Sequence, residues 1–264
     1  MSIFNLLEPG HWQPSPLAAG PFNGLQGGAI AGLLTAELEA LAADKGWGSA
    51  ISVTTWFLRP TPVATLRTRA TSVIEGGRVN VVDNMLYVEG EAAPCATARV
   101  TFIRERPLTL SNLPVASMPP VDPSRLPLRC AKAPHGKPWF MDAMEARGDD
   151  GVVWFRLKHP IIDGAGAAAA VLGPILGPAD WTHGLARPLQ GVAIDPNPNL
   201  TVQLCRKPRG EWIGVRAQTW WQPDRGLGTG SGVLLDVDGE IGCVSMAVVL
   251  LPWPKAADQR RGNS

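Results

Sequence analysis

The sequence predicts an α+β protein built twice over, each half a long helix wrapped by a curved antiparallel sheet of about five strands. Three observations predict it: two helix-length stretches rich in Ala, Gly and Leu, a series of strand patterns after each, and a proline-rich segment between the two series. Self-similarity on this scale points to a duplicated unit. At 264 residues, 45% hydrophobic and 18% charged, the chain is long enough to bury two domain cores.

The first half opens with a weak strand pattern near Ile3 to Leu7. A helix follows from Gly27 to Ala43, apolar on nearly all sides, so it must be surrounded by protein. The next strand, Ser52 to Leu58, closes on Arg59-Pro60, and three more run over Ala64 to Glu75, Arg78 to Val88 and Ala93 to Arg104. Glu75-Gly76-Gly77 and Glu89-Gly90-Glu91 supply the turns between them. The second half repeats the order. A strand at Gly151 to Leu157 precedes a helix from Gly164 to Leu176, which Pro174 should kink or end. Strands at Asn199 to Cys205, Trp212 to Trp221, Gly228 to Val237 and Ile241 to Leu251 follow, the first closing on Arg206-Lys207-Pro208. Ser52 and Asn199 stand at the same distance before their arginines, so the two strands are repeat-equivalent, and edge strands of the halves are free to pair into one sheet.

These elements divide the chain into a first domain at 1–106, a proline-rich linker at 107–138, a second domain at 139–254 and a polar tail at 255–264.

Composition excludes several functions. The net charge of +1 arises from 24 basic and 23 acidic residues well mixed along the chain, which leaves no electrostatic footprint for nucleic acid or an anionic membrane. No segment reaches the roughly 18 consecutive apolar residues of a spanning helix, and the start lacks a cationic and apolar leader, so a cytoplasmic location is expected. The histidines His11, His135, His159 and His183 are scattered and the four cysteines form no C-x-x-C pair, so neither a metal nor another cofactor is expected. The cysteines read as buried apolar filler.

At Gly24-Leu-Gln-Gly-Gly-Ala-Ile-Ala, Phe57-Leu-Arg-Pro60, Ala179-Asp-Trp-Thr-His-Gly184, and Asn199-Leu-Thr-Val-Gln-Leu with Arg209-Gly-Glu-Trp212, the sequence resembles the thioesterase-like superfamily related to acyl-CoA thioesterase II. The resemblance covers nearly the whole chain. It implies a double hotdog fold, an acyl thioester on coenzyme A or a carrier as ligand, no metal, and self-association as a homodimer or higher homo-oligomer. It also implies a hydrolytic site in the second half made of an Asp, a Thr or Ser, and a Gln. The Asp position carries Asn199, the hydroxyl position falls near Thr219, and the Gln position falls on Met246 or Ala247. An amide cannot take a proton as a carboxylate does, so Asn199 is able to orient a water but not to act as its base.

The catalytic candidates are therefore Asn199 and Thr219, expected on neighbouring strands facing the second helix, with Asp180 as a substitute base or else a turn residue. For substrate binding, Gly27 and Gly28 either offer helix-end amides to a thioester oxygen or merely permit tight helix packing. Gln26 and Asn23 either cap that helix or touch the ligand, with capping assigned to Asn23. Arg59 and Arg206 either bind coenzyme A phosphates or form structural ion pairs. Asp195 replaces the missing acid only if its strand slips in register. His183 reads as a surface or packing residue, and Glu37 and Glu39 as facing solvent or the other half. Ten tryptophans against one tyrosine imply core and interface roles. Of the adjacent Trp220 and Trp221, one should lie inside and one on an exposed face. The expected function is hydrolysis or binding of an acyl thioester. The alternatives are a non-hydrolytic binding protein and a related hydratase or cyclase with a diverged site.

Overall fold

The computed structural model describes residues 1–21, 24–109, 121–130, 136–148, 151–164, 170–186, 189 and 191–253. In the first half β1 (Phe4–Glu8) and β2 (His11–Pro14) precede helix α1 (Gly27–Lys45), and β3 (Ser49–Phe57), β4 (Leu66–Glu75), β5 (Val79–Val88) and β6 (Ala96–Ile103) follow it. The second half contains β7 (Leu128–Arg129), β8 (Met144–Gly148) and β9 (Val153–Leu157), then helices α2 (Gly173–Asp180) and α3 (Thr182–Ala186). It ends with β10 (Ala193–Ile194), β11 (Asn199–Leu204), β12 (Trp212–Gln222), β13 (Leu227–Asp236), β14 (Gly239–Val249) and β15 (Leu251–Pro252).

Thirteen strands form one sheet in the order β1-β2-β4-β5-β6-β3-β11-β14-β13-β12-β9-β8-β7, and β10 pairs separately with β15. The halves join where β3 runs antiparallel to β11, with Thr54 opposite Thr201 and Val53 opposite Val202. Thr54 and Thr201 are 147 residues apart and their hydroxyls lie 3.2 Å from each other. The same spacing separates Arg59 from Arg206, so repeat-equivalent residues meet at this pair and the pseudo-twofold of the duplication passes through it.

Helix α1 is buried along most of its length because the sheet wraps it on one side and α2 covers it on the other. Gly28, Gly32 and Ala36 recur at four-residue spacing, which places them on one face, and α2 presents Gly173 and Gly177 to them. The backbones approach closely enough that a Cβ on Gly28 would lie 2.8 Å from both the Gly177 Cα and the Leu176 carbonyl oxygen. One hydrophobic core cluster spans both halves, from Leu33 and Phe102 to Leu200 and Ile241.

Several expectations are revised. Gly164 itself is not helical, and α2 begins at Gly173 with Pro174 in its first turn, where a missing N–H removes no helical hydrogen bond, so the proline opens this helix instead of ending it. Residues 165–169 of the expected helix, Asn23, parts of the linker (110–120 and 131–135) and the tail lie outside the described residues. Within the stretch read as linker, β7 pairs with β8 at the sheet edge, and Val121 and Leu126 pack on Trp154, Trp212 and Leu235. Cys95 is buried, but Cys130, Cys205 and Cys243 are exposed, against the reading of all four as filler. Trp220 is exposed while Trp221 packs against the core, as strand alternation requires.

Candidate active site

Helix α1 starts at the seam between the halves, and its first turn is closed by side chains from distant segments. Gln26 caps it, its Oε1 accepting from the Ala29 amide at 2.8 Å. Its Nε2 donates to Asp180 Oδ2 at 2.5 Å, and the Gly28 amide donates to the same oxygen at 3.0 Å. Asn197, just ahead of β11, donates to Asp180 Oδ1 at 2.8 Å and to the Asn199 carbonyl at 3.2 Å. Asp180 is thus a buried carboxylate held by three donors at the positive end of a helix. Burial still raises its carboxyl above the ordinary value, while the charge of His183 and the bonds from Asn197, Gly28 and Gln26 pull the other way.

The geometry bears on both readings of the glycines. The Gly28 amide is committed to Asp180, and the absent side chain is needed for helix contact. A Cβ on Gly27 would lie 2.9 Å from Asp180 Oδ2 and 3.0 Å from Phe57 Cζ. Among the described residues the Gly27 amide is the helix-end donor left without a partner.

Asn199 and Thr219 do not lie on neighbouring strands, because β14 and β13 separate β11 from β12. They also differ in face. Leu200 and Val202 are fully buried, so Asn199 has the opposite parity, and its Oδ1 accepts from the Ala247 amide at 3.0 Å. Thr219 points inward, 3% exposed, and its hydroxyl has no hydrogen-bond partner. It pairs with Gly230, which pairs in turn with Met246.

Over Gly230 sits His183: a Cβ on that glycine would lie 3.0 Å from the His183 Cα. His183 Nδ1 is 2.9 Å from Asp195 Oδ2. Asp195 is aimed inward because β10 is pinned to β15 immediately before it and the Pro196 carbonyl accepts the Val249 amide immediately after it. No register slip is needed to bring this acid to the site. Reading the sequence missed the pair because its members are twelve residues apart on a helix and a loop. The visible signal was a glycine-bearing strand position facing a histidine, which only the register reveals.

The arginines take the structural alternative. Arg59 pairs with Glu91 and donates to the Ala93 carbonyl at 2.9 Å. Arg206 grips Asp236 with both terminal nitrogens, one bond to Oδ1 measuring 2.7 Å. Asp236 is buried, which raises its carboxyl, but Arg206 and the amides of Arg209 and Asp238 hold it below its usual value.

At the other end of the helix pair the arrangement is reciprocated. Glu39 of α1 accepts from the amides of Val171, Leu172 and Gly173 at 2.9, 2.8 and 3.2 Å, capping the start of α2. Burial pushes its carboxyl up to about 7 despite those amides and Lys207. Glu39 therefore faces the other half. Glu37 accepts from Thr68 Oγ1 and Asn84 Nδ2, each at 2.8 Å. Two adjoining clefts of about 480 and 470 Å³ share Val171 and Lys207 near this end. Asp180, Thr219 and His183 line neither of them.

Two family models match the sequence: the acyl-CoA thioesterase N-terminal domain over residues 16–103 and the acyl-CoA thioesterase C-terminal domain over residues 111–250. The chain belongs to the acyl-CoA thioesterase family. Comparison with curated protein sequences yields no match. Among solved structures, the acyl-CoA thioesterase II of Mycobacterium marinum superposes with a TM-score of 0.63 at 14% identity, covering 95% of this chain and 96% of that one. The tesB protein of Mycobacterium avium subsp. paratuberculosis gives 0.64 at 16% identity, covering 94% and 96%. A hotdog-fold protein of Alicyclobacillus acidocaldarius gives 0.63 at 20% identity, covering 93% of each chain. This acyl-CoA thioesterase-like chain is accordingly an α+β double hotdog. Among the described residues no helix is long and apolar enough to cross a membrane.

Proposed function

We propose that the chain hydrolyses the thioester bond of an acyl-CoA at the polar centre where the start of α1, the end of α2, α3 and the start of β11 meet. The observation that carries the reading is Thr219. A buried hydroxyl without a protein partner on an apolar inner face costs free energy unless a water or ligand completes it. Thr219 would hold the attacking water. Asp180 would organise the start of α1 so that the Gly27 amide points at the carbonyl oxygen where negative charge develops. Asn199 is given a structural part, since its side-chain Oδ1 already accepts from the Ala247 amide. Arg59 and Arg206 are likewise left to their ion pairs.

Self-association belongs to the same proposal. It is supported by Trp56 and Trp220, both about half exposed on the outer face, Trp56 paired with Asn199 and Trp220 with Thr229. So does a cytoplasmic location, where exposed thiols such as Cys205 and Cys243 stay reduced.

The test is free-thiol release from acyl-CoAs of several chain lengths by the native protein, its Thr219→Val variant and its Asn199→Asp variant. The native protein should release thiol, and Thr219→Val should lower kcat by about tenfold or more through loss of the held water. Turnover seen only with Asn199→Asp would make the natural chain a binder of acyl thioesters.

A further inference from the structure

The proposed reaction needs a proton acceptor at the water, and Asn199 cannot be one. Three observations converge on another group. Thr219, with its unpartnered hydroxyl, is the direct cross-strand neighbour of Gly230. Paired positions on adjacent antiparallel strands share a face and have Cα atoms within about 5.5 Å. The surface of Gly230 on that face is covered by His183, whose Cα, Cβ and N lie 3.0, 3.1 and 3.2 Å from where a Cβ would stand. Lastly, His183 gives one ring nitrogen to Asp195 at 2.9 Å, and among the described residues Nε2 makes no hydrogen bond. A histidine with Nδ1 fixed by a carboxylate and Nε2 left open is in the tautomer a general base requires.

We propose that His183, oriented by Asp195, is the base of the thioester hydrolysis; this rests on the hydrolytic reading above. Water held by Thr219 attacks the thioester carbonyl carbon, a C–O bond forms, and its proton passes to His183 Nε2. The imidazolium is stabilised by Asp195. The tetrahedral intermediate collapses with cleavage of the C–S bond, and His183 returns the proton to the departing sulfur. Acyl-CoA and water thus yield the free acid and coenzyme A thiol, with no further reactant. Gly230 has a defined part, since any side chain there would displace the histidine.

Among the described residues, two titratable groups face His183. Asp195 contacts it, and Asp180 at the end of α2 senses its charge. Thr219, Gly230 and Met246, paired in register across β12, β13 and β14, carry no titratable group that works in this range.

The experiment measures kcat and KM for the native protein, His183→Gln, Asp195→Asn and Asp195→Glu, with octanoyl-CoA or the acyl-CoA of the panel that turns over fastest. Thermal melts of each variant accompany it. His183→Gln should lose about a hundredfold in kcat with KM within about twofold. Asp195→Asn should lose about tenfold in kcat with KM within about twofold, and Asp195→Glu, which keeps a carboxylate for Nδ1, should recover part of that loss. A merely structural role would lower the melting temperature or raise KM instead of lowering kcat alone. Should His183→Gln fail to fold, Asp195→Asn decides: a folded variant at full kcat overturns the proposal. A folded His183→Gln that turns over like the native protein overturns the dyad and leaves the hydrolytic reading standing. No turnover by the native protein on any acyl-CoA overturns both.

Discussion

Single residues at the start of α1 are under two demands at once, and Gly28 shows it best. Its amide feeds Asp180 and its missing side chain lets Gly177 approach. Alanine there would place a methyl 2.8 Å from backbone atoms that cannot rotate away, the overpacking that typically costs about 1–3 kcal/mol. Gly28→Ala should lower stability by about that amount in a denaturant titration, whereas a change below a few tenths would show that the helices part freely. The candidate residues around this turn were legible because they are close in sequence to a helix start. The meeting of Asp180 with Asn197 and of His183 with Asp195 was not, since loops whose course depends on β10 and β15 create it. Asn199 was legible as the repeat-equivalent of Ser52, but which face it presents depends on the parity of β11, and that is set by burial of Leu200 and Val202.

Between elements, the two helices cap each other: Asp180 at the end of α2 serves α1, and Glu39 late in α1 serves α2. Length and composition made α1 readable, because Ala and Leu dominate its nineteen residues, whereas α2 is eight residues held by packing, and a run of Ala and Gly says little about where such a helix begins. Reciprocal capping has a consequence in pH. Glu39 titrates near 4.5 when unfolded and near 7 when folded, so between those values the folded chain keeps a proton the unfolded chain has lost. Stability from this group is present below pH 4.5, falls as pH rises towards 7 and is level above, the full difference amounting to about 3 kcal/mol. Asp180 acts in the same direction. Unfolding free energy measured from pH 5 to pH 8 should therefore decline in the native protein and decline less steeply in Glu39→Gln. Parallel slopes for the two proteins would show that Glu39 keeps an ordinary affinity for its proton.

For the molecule as a whole, the question is whether two halves made by duplication behave as two units. The strand succession and the duplication were readable from alternation and turns, but the join was not, since neither β3 nor β11 carries a mark saying which edge it will meet. Their register supplies the answer. Repeat-equivalent Thr54 and Thr201 pair at the centre, the sheet runs unbroken through thirteen strands, and one apolar cluster extends through both halves. Detaching the halves would expose both the β3 and β11 edges and the small-residue face of α1, so neither half should persist once the other opens. Leu200, fully buried on β11 opposite Thr55 of β3, is the place to probe this. Leu200→Ala should cost about 2–5 kcal/mol. It should shift a single transition, with tryptophan fluorescence, which samples Trp47 in one half and Trp154 in the other, coinciding with far-ultraviolet circular dichroism. A variant in which the two signals separate would mean that the seam only docks two independent domains, and the proposed acyl site would then open and close with their docking.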